Sequence, residues 1–239
     1  MAQAATAETA AAPVSPATGA ATATTRRVMV DRQLRPYDVY DIEVLGRFLA
    51  VPREAFLPEN FRAIAYSDLA IEGLGLRRAV PAPLVLGRFL QAAEIRPHHK
   101  VLEIAGGAGY SAALLAGLAK EVVTLENDPD LSKQSRENLD GIGVTNVHVE
   151  TGPLEKGAPT HAPYDVILLH GVVEGGLDDL FAQLAPNGRL VAFKRFDPTS
   201  GVKAVKFEFA QGRLAGERAV FDAAAPALPA FAKVAEFSL

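Results

Sequence analysis

The chain has 239 residues, of which 49% are hydrophobic and 22% are charged, and its formal net charge at pH 7 is -4. This length suits one globular domain with a small appendage. The weak negative charge and the lack of a long basic run argue against a protein that binds nucleic acid through its phosphates. The sequence has no cysteine, which excludes disulfides, thiolate metal sites and cysteine nucleophiles and fits a cytoplasmic enzyme.

The first 27 residues are rich in alanine, threonine and proline and contain no aromatic side chain and no leucine. We predict a disordered tail over residues 1–27, because such a segment buries too little apolar area to offset the entropy of ordering. It lacks the features of a secretory signal or a transit peptide. No run of about 20 apolar residues predicts a membrane span.

Residues 28–83 predict a helical N-terminal subdomain, with one helix capped by Asp41 and stopped by Pro52. From residue 84 to residue 239, β-type stretches alternate with helix-length segments. The β-type stretches are 101–105, 121–126, 147–150, 165–170 and 189–193, and the helical segments lie near 111–119, 130–140 and 178–185. This order predicts an α/β fold with a doubly wound, mostly parallel, Rossmann-like sheet and helices on both faces. Alternating residues around Gln211 and Gly212 predict an antiparallel hairpin at the C-terminal end.

A glycine-rich loop follows the first strand, in the stretch KVLEIAGGAGYSAALLAGLAKEVVTLEN at 100–127. Such a loop lies at the carboxyl edge of a parallel sheet, where ligands bind, and its glycines allow a tight turn and close approach of a ligand. A plain strand-to-helix turn is the alternative explanation. Glu103 before the loop, and Glu126 where a ribose diol would sit, favour a nucleoside site.

The identity of the nucleoside cofactor depends on charge. Gly107, Gly109 and Ala112 also match the dinucleotide spacing G-x-G-x-x-A, so a NAD-linked oxidoreductase is one alternative. A pyrophosphate at the start of the helix would be repelled by an acid at the mouth of the loop, where we expect Glu103. S-adenosylmethionine has no phosphate and carries a sulfonium and an ammonium group, so an acid there favours S-adenosylmethionine.

Five stretches between about Met29 and about Phe193 give the chain a resemblance to the protein-L-isoaspartate O-methyltransferases. They are AVPREAF with LPE after it, AYSD at 65–68, VLEIAGGAGYSAALLA, APYDVILL at 162–169 and LFAQLAPNGRLV. The resemblance implies a class I methyltransferase fold and S-adenosylmethionine as cofactor. It implies carboxyl methylation of L-isoaspartyl residues in damaged proteins, a protein repair reaction, or of a related carboxylate. Residues 84–239 would form the cofactor-binding domain, with residues 28–83 on the substrate side.

The loop and the resemblance together give a set of candidate cofactor-binding residues. They are Glu103, Ala105, Gly106, Gly107, Gly109, Tyr110, Glu126, Gly152 and Leu154.

The chain departs from the family pattern at three positions. Ala105 stands where the family loop has its first glycine, and we expect the neighbouring Gly106 to restore the turn. Pro153 stands where the family has an aspartate that faces adenine, so adenine must be held by apolar packing or backbone. Pro81, in the stretch AVPAP, stands where the family has a serine near the substrate. These changes leave the catalytic residue unassigned and support an alternative, a non-catalytic or repurposed module that binds S-adenosylmethionine.

Methylation of a carboxylate remains chemically feasible without that serine, because an anionic nucleophile needs no strong general base and alignment supplies much of the acceleration. Arg77 or Arg78, just before the changed turn, is our candidate to receive the substrate carboxylate in a forked contact. A solvated surface pair is the alternative interpretation of the two arginines.

The sequence predicts no metal site and no hydrolase. The histidines, at 98, 99, 148, 161 and 170, form no metal-binding pair on one element. His170 lies at the ligand edge, where packing or a capping hydrogen bond is the favoured role. Ser111 lacks the second glycine of a nucleophile elbow. The aromatic set of Phe48, Phe56, Phe61 and Tyr66 is interpreted as core of the N-terminal subdomain.

Overall fold

The structure is a computed structural model that describes residues 16–72, 78–196 and 201–232, with side chains from residue 22 onward. Its strands are β1 (Lys100–Ile104), β2 (Glu121–Glu126), β3 (Val147–Thr151), β4 (Tyr164–Val173), β5 (Leu184–Arg195), β6 (Val202–Ala210) and β7 (Arg213–Asp222). Its α-helices are α1 (Pro16–Met29), α2 (Ile42–Ala50), α3 (Pro83–Ala92), α4 (Tyr110–Ala116), α5 (Pro129–Gly141) and α6 (Asp178–Phe181). None of the helices in these ranges is long and apolar enough to cross a bilayer.

The strands form one sheet in the order β3-β2-β1-β4-β5-β6-β7. The first five strands of this order are parallel, and β6 and β7 add antiparallel pairs. The turn between them places Gln211 at φ 52° and Gly212 at φ 76°, the left-handed region that a tight hairpin requires. The predicted mixed sheet and C-terminal hairpin are confirmed. Strand order reverses beside β1, so the crevice between the carboxyl ends of β1 and β4 is where a ligand is expected.

Hydrophobic residues cover both faces of the sheet, because successive residues of each buried strand point to opposite sides. On β1, Val101 belongs to one cluster and Leu102 to the other. The first cluster also holds buried hydrophobic residues of the N-terminal segments and of α3, α4 and α5. The second includes α6 and the C-terminal Leu228 and Phe231. The N-terminal residues therefore pack on the same face as α4, while the proposed domain boundary at residue 83 stays a prediction.

The N-terminal helix α1 corrects one expectation. We expected residues 1–27 to be a disordered tail, but Pro16–Met29 is helical; residues 1–15 lie outside the described part. Alanine is the strongest helix former, and the helix leads directly into the buried Met29 and Val30. The composition of residues 1–27 did not predict this helix, because the buried residues that hold it, Met29 and Val30, come after the alanine-rich part.

The helix α2 forms as predicted. Asp41 Oδ1 accepts hydrogen bonds from the backbone N–H groups of Glu43 and Val44, at 2.9 and 3.2 Å, which satisfies donors that a helix start leaves free. The helix ends at Ala50, two residues before Pro52. The aromatic residues around it also pack as expected. Phe48, Phe56 and Tyr66 are buried, and Phe61 packs against the same cluster.

Candidate functional site

The glycine-rich loop between β1 and α4 turns through three left-handed residues. Ala105, Gly107 and Gly109 have φ values of 63°, 75° and 96°. The expectation that Gly106 restores the turn is wrong, because Ala105 itself adopts the left-handed conformation, at a strain of about 1 kcal/mol or more. Gly106 is needed for another reason. A Cβ at this residue would overlap the carboxyl group of Glu103, so only glycine leaves room for that side chain.

Glu103 lies beneath the loop rather than at its mouth. The residue has no exposed surface. Its carboxylate lies 3.0 Å from His170 Nε2 and accepts a 2.8 Å hydrogen bond from Thr124 Oγ1. His170 Nε2 also lies 3.2 Å from Ser111 Oγ. The expected attraction between Glu103 at the rim and a cationic ligand is therefore wrong, since the protein already surrounds this carboxylate with its own partners.

The pairing of the strands explains this network. Glu103 lies opposite Thr124 on β2 and opposite Leu168 on β4. His170 is two residues beyond Leu168, and side chains two apart in a strand share one face of the sheet. Glu103, Thr124 and His170 therefore meet on the same face. The strand register is the signal that would have found His170 as a partner, but a single sequence does not fix which strands are neighbours.

The ionisation of Glu103 makes stability depend on pH. Burial alone would raise the pKa of its carboxyl group, but the contacts with His170, Ser111 and Thr124 outweigh burial and hold the pKa below the ordinary value of 4.5. The ionised form thus stabilises the folded state above about pH 4.5, and this contribution is lost as the pH falls through the lower, folded-state pKa.

We expect Glu103→Gln to flatten the pH dependence of the unfolding free energy below about pH 4.5, because the glutamine does not titrate. Urea unfolding of wild type and variant, measured between about pH 6 and about pH 3, checks this expectation. Glu137→Gln on the exposed face of α5 is the control. Parallel curves for wild type and Glu103→Gln would contradict the assigned role of this carboxylate.

Glu126 is the last residue of β2 and lies beside the loop. Only 1% of its side chain is exposed to solvent. Its Oε1 accepts hydrogen bonds of 2.7 Å from the Gly107 backbone N–H and from Arg78 Nε, and its Oε2 accepts a 2.5 Å hydrogen bond from Arg78 Nη2. Arg78 also donates to Asn127 Oδ1 at 3.0 Å. The predicted ribose-binding acid therefore lies at the predicted place and is held there by the loop backbone and by one arginine.

Arg78 is placed differently from the prediction. We expected it to be free to receive a substrate carboxylate, but in this structure it forms a forked ion pair with Glu126. The alternative of a solvated surface pair does not describe it either, because its side chain is only 15% exposed. The other candidate, Arg77, lies outside the described residues.

A cavity of about 330 Å³ with mainly apolar walls reaches His170, which is one of the partners of Glu103. Its described lining residues are Ala70, Glu72, Ala79, Pro81, Ala82, Val85, His170, Phe193, Ala224, Ala225 and Pro226. Pro81, which we expect at the position of the family serine, therefore faces the same space as His170. The last three residues come from the segment after β7, so the C-terminal part of the chain forms one wall.

Arg53 holds the turn that contains Pro81. This arginine is fully buried, donates a 2.7 Å hydrogen bond from Nη2 to the Pro81 carbonyl, and stacks its guanidinium 5.0 Å from the centre of the Tyr110 ring. No role for Arg53 was predicted from the sequence. A fully buried arginine is rare unless its guanidinium is hydrogen-bonded or paired. Burial of a side chain cannot be recognised from a single sequence, so this residue was not found.

Two candidate cofactor-binding residues direct their side chains elsewhere. Tyr110 packs against Phe48 and Phe56 in the first hydrophobic cluster, and burial raises its pKa to about 12. Leu154 is buried in the second cluster. The side chains of both residues complete the core, so any contact that they make with a cofactor would come from the backbone; their assignment as cofactor-binding residues stays a prediction. Gly152 does approach the site, since its N–H donates to the Glu126 carbonyl at 2.9 Å.

The histidines do not assemble a metal centre. Within the described ranges, no group of three or more His, Cys, Asp or Glu side chains is placed to hold a metal ion.

Sequence and structure comparisons identify related proteins. A family model described as "Protein-L-isoaspartate(D-aspartate) O-methyltransferase" matches residues 25–195. A protein-L-isoaspartate O-methyltransferase of Methanoculleus marisnigri is 39% identical over 167 residues, which are 70% of this chain and 76% of the relative. One of Koribacter versatilis is 39% identical over 166 residues, 70% of this chain and 74% of the relative.

Solved structures agree. A protein-L-isoaspartate O-methyltransferase superposes with a TM-score of 0.75 at 25% identity, covering 85% of this chain and 65% of the other. This chain thus spans just under two thirds of that protein's length. A second structure is a putative protein-L-isoaspartate O-methyltransferase of Plasmodium falciparum, solved in complex with S-adenosyl-L-homocysteine. It superposes with a TM-score of 0.68 at 18% identity, and the match covers 87% of this chain and 98% of the other. This similarity supports the fold. With most of its length matched by the family model, the chain belongs to the protein-L-isoaspartate O-methyltransferase family.

Proposed function

We propose that this protein is an S-adenosylmethionine-dependent carboxyl O-methyltransferase that acts on L-isoaspartyl residues of proteins. The observation that carries the proposal is the family match over residues 25–195, which includes the glycine loop and Glu126 at the switch point of the sheet. The choice of cofactor rests on the family, because Glu103 does not lie at the mouth of the loop. We also propose a cytoplasmic location, since a chain without cysteine suits a reducing compartment.

The described residues fit this cofactor. Glu126 offers a carboxylate at the end of β2, the position at which an acid binds ribose hydroxyls in nucleotide-binding sheets. At Gly107 a Cβ would meet only Arg78 Cβ, at 3.9 Å, and at Gly152 only Leu125, at 3.6 Å. Both backbones therefore leave room for a ligand to approach closely. Pro153 contributes no side-chain acceptor to adenine, so packing and backbone must hold the base.

The chemistry requires alignment more than acid–base catalysis. When bound, S-adenosylmethionine would supply an electrophilic methyl group on a sulfonium. A carboxylate oxygen would take this methyl group as the S–CH3 bond breaks, giving a methyl ester and S-adenosylhomocysteine. The protein then has to hold the acceptor in line and keep water out, and these two contributions account for much of the rate in such reactions. Pro81 and Phe193 provide apolar walls for this cavity, and Arg53 fixes the Pro81 turn through its carbonyl.

The first test combines binding with turnover. We expect calorimetric titration of the full chain to show binding of S-adenosylmethionine, and we expect methyl transfer to an isoaspartyl peptide but not to its aspartyl twin. Because Pro81 replaces a hydroxyl, we expect a rate lower by about 100-fold or more than that of family members with the serine.

One observation favours a second candidate function. Pro81 lies on the cavity wall and provides no hydrogen-bond donor, which would suit a module that binds the cofactor without transferring its methyl group. Tight binding with no transfer to either peptide would favour this module. The absence of binding would contradict both functions.

A further inference from the structure

The ion pair between Arg78 and Glu126 competes with the cofactor for one carboxylate. Glu126 accepts three hydrogen bonds, two from Arg78 and one from the Gly107 N–H, and its side chain is almost fully covered. A carboxylate has about four acceptor positions. With both oxygens in use and the group covered, Glu126 cannot also bind a ribose diol through both oxygens. Arg78 therefore has to leave Glu126 before the diol is bound in that way.

The position of Arg78 in the chain limits where its guanidinium can go. Its neighbour Ala79 lines the cavity described above, and so does Pro81. A guanidinium that leaves Glu126 thus remains attached to the backbone that forms this wall. Asn127, its other partner, lies on the side of Glu126 and not among the described cavity residues.

The cavity has a charge that does not suit a carboxylate acceptor. Of the described residues that line it, Glu72 carries a formal negative charge, and none is lysine or arginine. Among these described residues an acceptor carboxylate would therefore meet one like charge and neither lysine nor arginine, which is unfavourable in an apolar environment. Arginine is well suited to correct this, since its planar fork matches two carboxylate oxygens.

We propose that Arg78 exchanges one carboxylate for another: it pairs with Glu126 until ribose hydroxyls take that group, and it then binds the acceptor carboxylate at the cavity. Arg78 is a substrate-binding residue in this scheme, and it makes binding of the cofactor favour binding of the acceptor. The inference rests on the proposed function and adds to it the order of events and the residue that enforces it. By linkage, the apparent association constant for the cofactor equals its intrinsic value multiplied by the fraction of molecules in which Glu126 is free.

Arg78→Ala tests both halves of the exchange. We expect S-adenosylhomocysteine to bind about tenfold more tightly in calorimetry, which corresponds to a pair formed in about 90% of wild-type molecules. We expect the KM for an isoaspartyl peptide to rise by about tenfold or more, because a charge-assisted contact is lost. The ligand-free variant should have a lower Tm, since Glu126 loses its buried partner.

Two further variants make the result interpretable. Arg88→Ala removes an arginine on α3 that lies 3.9 Å from Asp38, outside the cavity, and should change neither the affinity nor the KM. Arg78→Met keeps the aliphatic stem without the charge and should reproduce Arg78→Ala even if the alanine variant is unstable.

Unchanged or weaker binding of S-adenosylhomocysteine in both Arg78 variants would overturn the inference, and so would an unchanged peptide KM. Either result would leave the proposed function intact, because wild type would still bind and methylate. If wild type itself does not bind S-adenosylhomocysteine, the proposed function fails and the inference falls with it.

Discussion

Glu126→Ala should weaken the binding of S-adenosylhomocysteine by about 100-fold. The substitution removes both carboxylate oxygens that we assign to the ribose hydroxyls, and hydrogen bonds to a charged group contribute about 1.5 to 3 kcal/mol each. It also leaves the Gly107 N–H without its acceptor at 2.7 Å, which loosens the loop. Isothermal titration calorimetry of the full chain measures the change directly.

The same strand supplies the control. Glu121 begins β2 and Glu126 ends it, and Glu121 is 30% exposed in an ion pair with Lys100 at 2.9 Å. Glu121→Ala removes an acid from the same strand at the opposite edge of the sheet, so it should leave the affinity unchanged. Equal losses in the two variants would show a general effect on folding and would contradict the assignment of Glu126.

The comparison with Arg78→Ala is more informative than either variant alone. Both substitutions abolish the same ion pair, yet we expect the affinity to fall for Glu126→Ala and to rise for Arg78→Ala. If the pair served only to stabilise the fold, both variants would lose affinity as the site loosens. Affinity changes of opposite sign in the two variants would therefore exclude a purely structural role of the ion pair.

The fold was predictable because its signals are local. Each predicted strand from 101–105 to 189–193 overlaps a strand of the sheet, and the hairpin turns at Gln211 and Gly212. Alternation and buried apolar runs carry this information within a few residues. The helix at Pro16–Met29 was missed because its anchor is tertiary: it depends on burial of Met29 and Val30 against the rest of the chain.

The site was predictable in position but not in its contacts. The glycine loop and Glu126 lie where the strand pattern placed them. The partners of Glu103 and Glu126 come from residues 67 and 48 positions away in the chain, His170 and Arg78. A single sequence shows that these residues can form ion pairs or hydrogen bonds, but it does not show which of them are in contact. This is why Glu103, an acid that we expected to meet a ligand, instead lies against His170 and Thr124.

Gly106→Ala should lower the free energy of unfolding by about 3 kcal/mol. The added Cβ would lie no more than 2.9 Å from any atom of the Glu103 carboxyl group, so this group has to move away from His170 and Thr124. Leaving a buried polar group without its hydrogen-bonding partners costs about 1 to 3 kcal/mol, and more when the group is charged. Urea denaturation with an unchanged m-value measures the loss. Gly46→Ala is the control: in α2 no atom lies within 4 Å of the new Cβ, and the helix should gain up to about 1 kcal/mol.

A double-mutant cycle with Glu103→Ala identifies the cause. If the new methyl group acts by displacing this carboxylate, then Gly106→Ala should cost little more once the carboxylate is gone, and the two losses should be far from additive. Additive losses would mean that the methyl group acts elsewhere, on the loop backbone. Ala105, next to Gly106, is already held in a left-handed conformation. Backbone strain in the loop is therefore the other possible cause of the stability loss, and the cycle distinguishes it from the contact with Glu103.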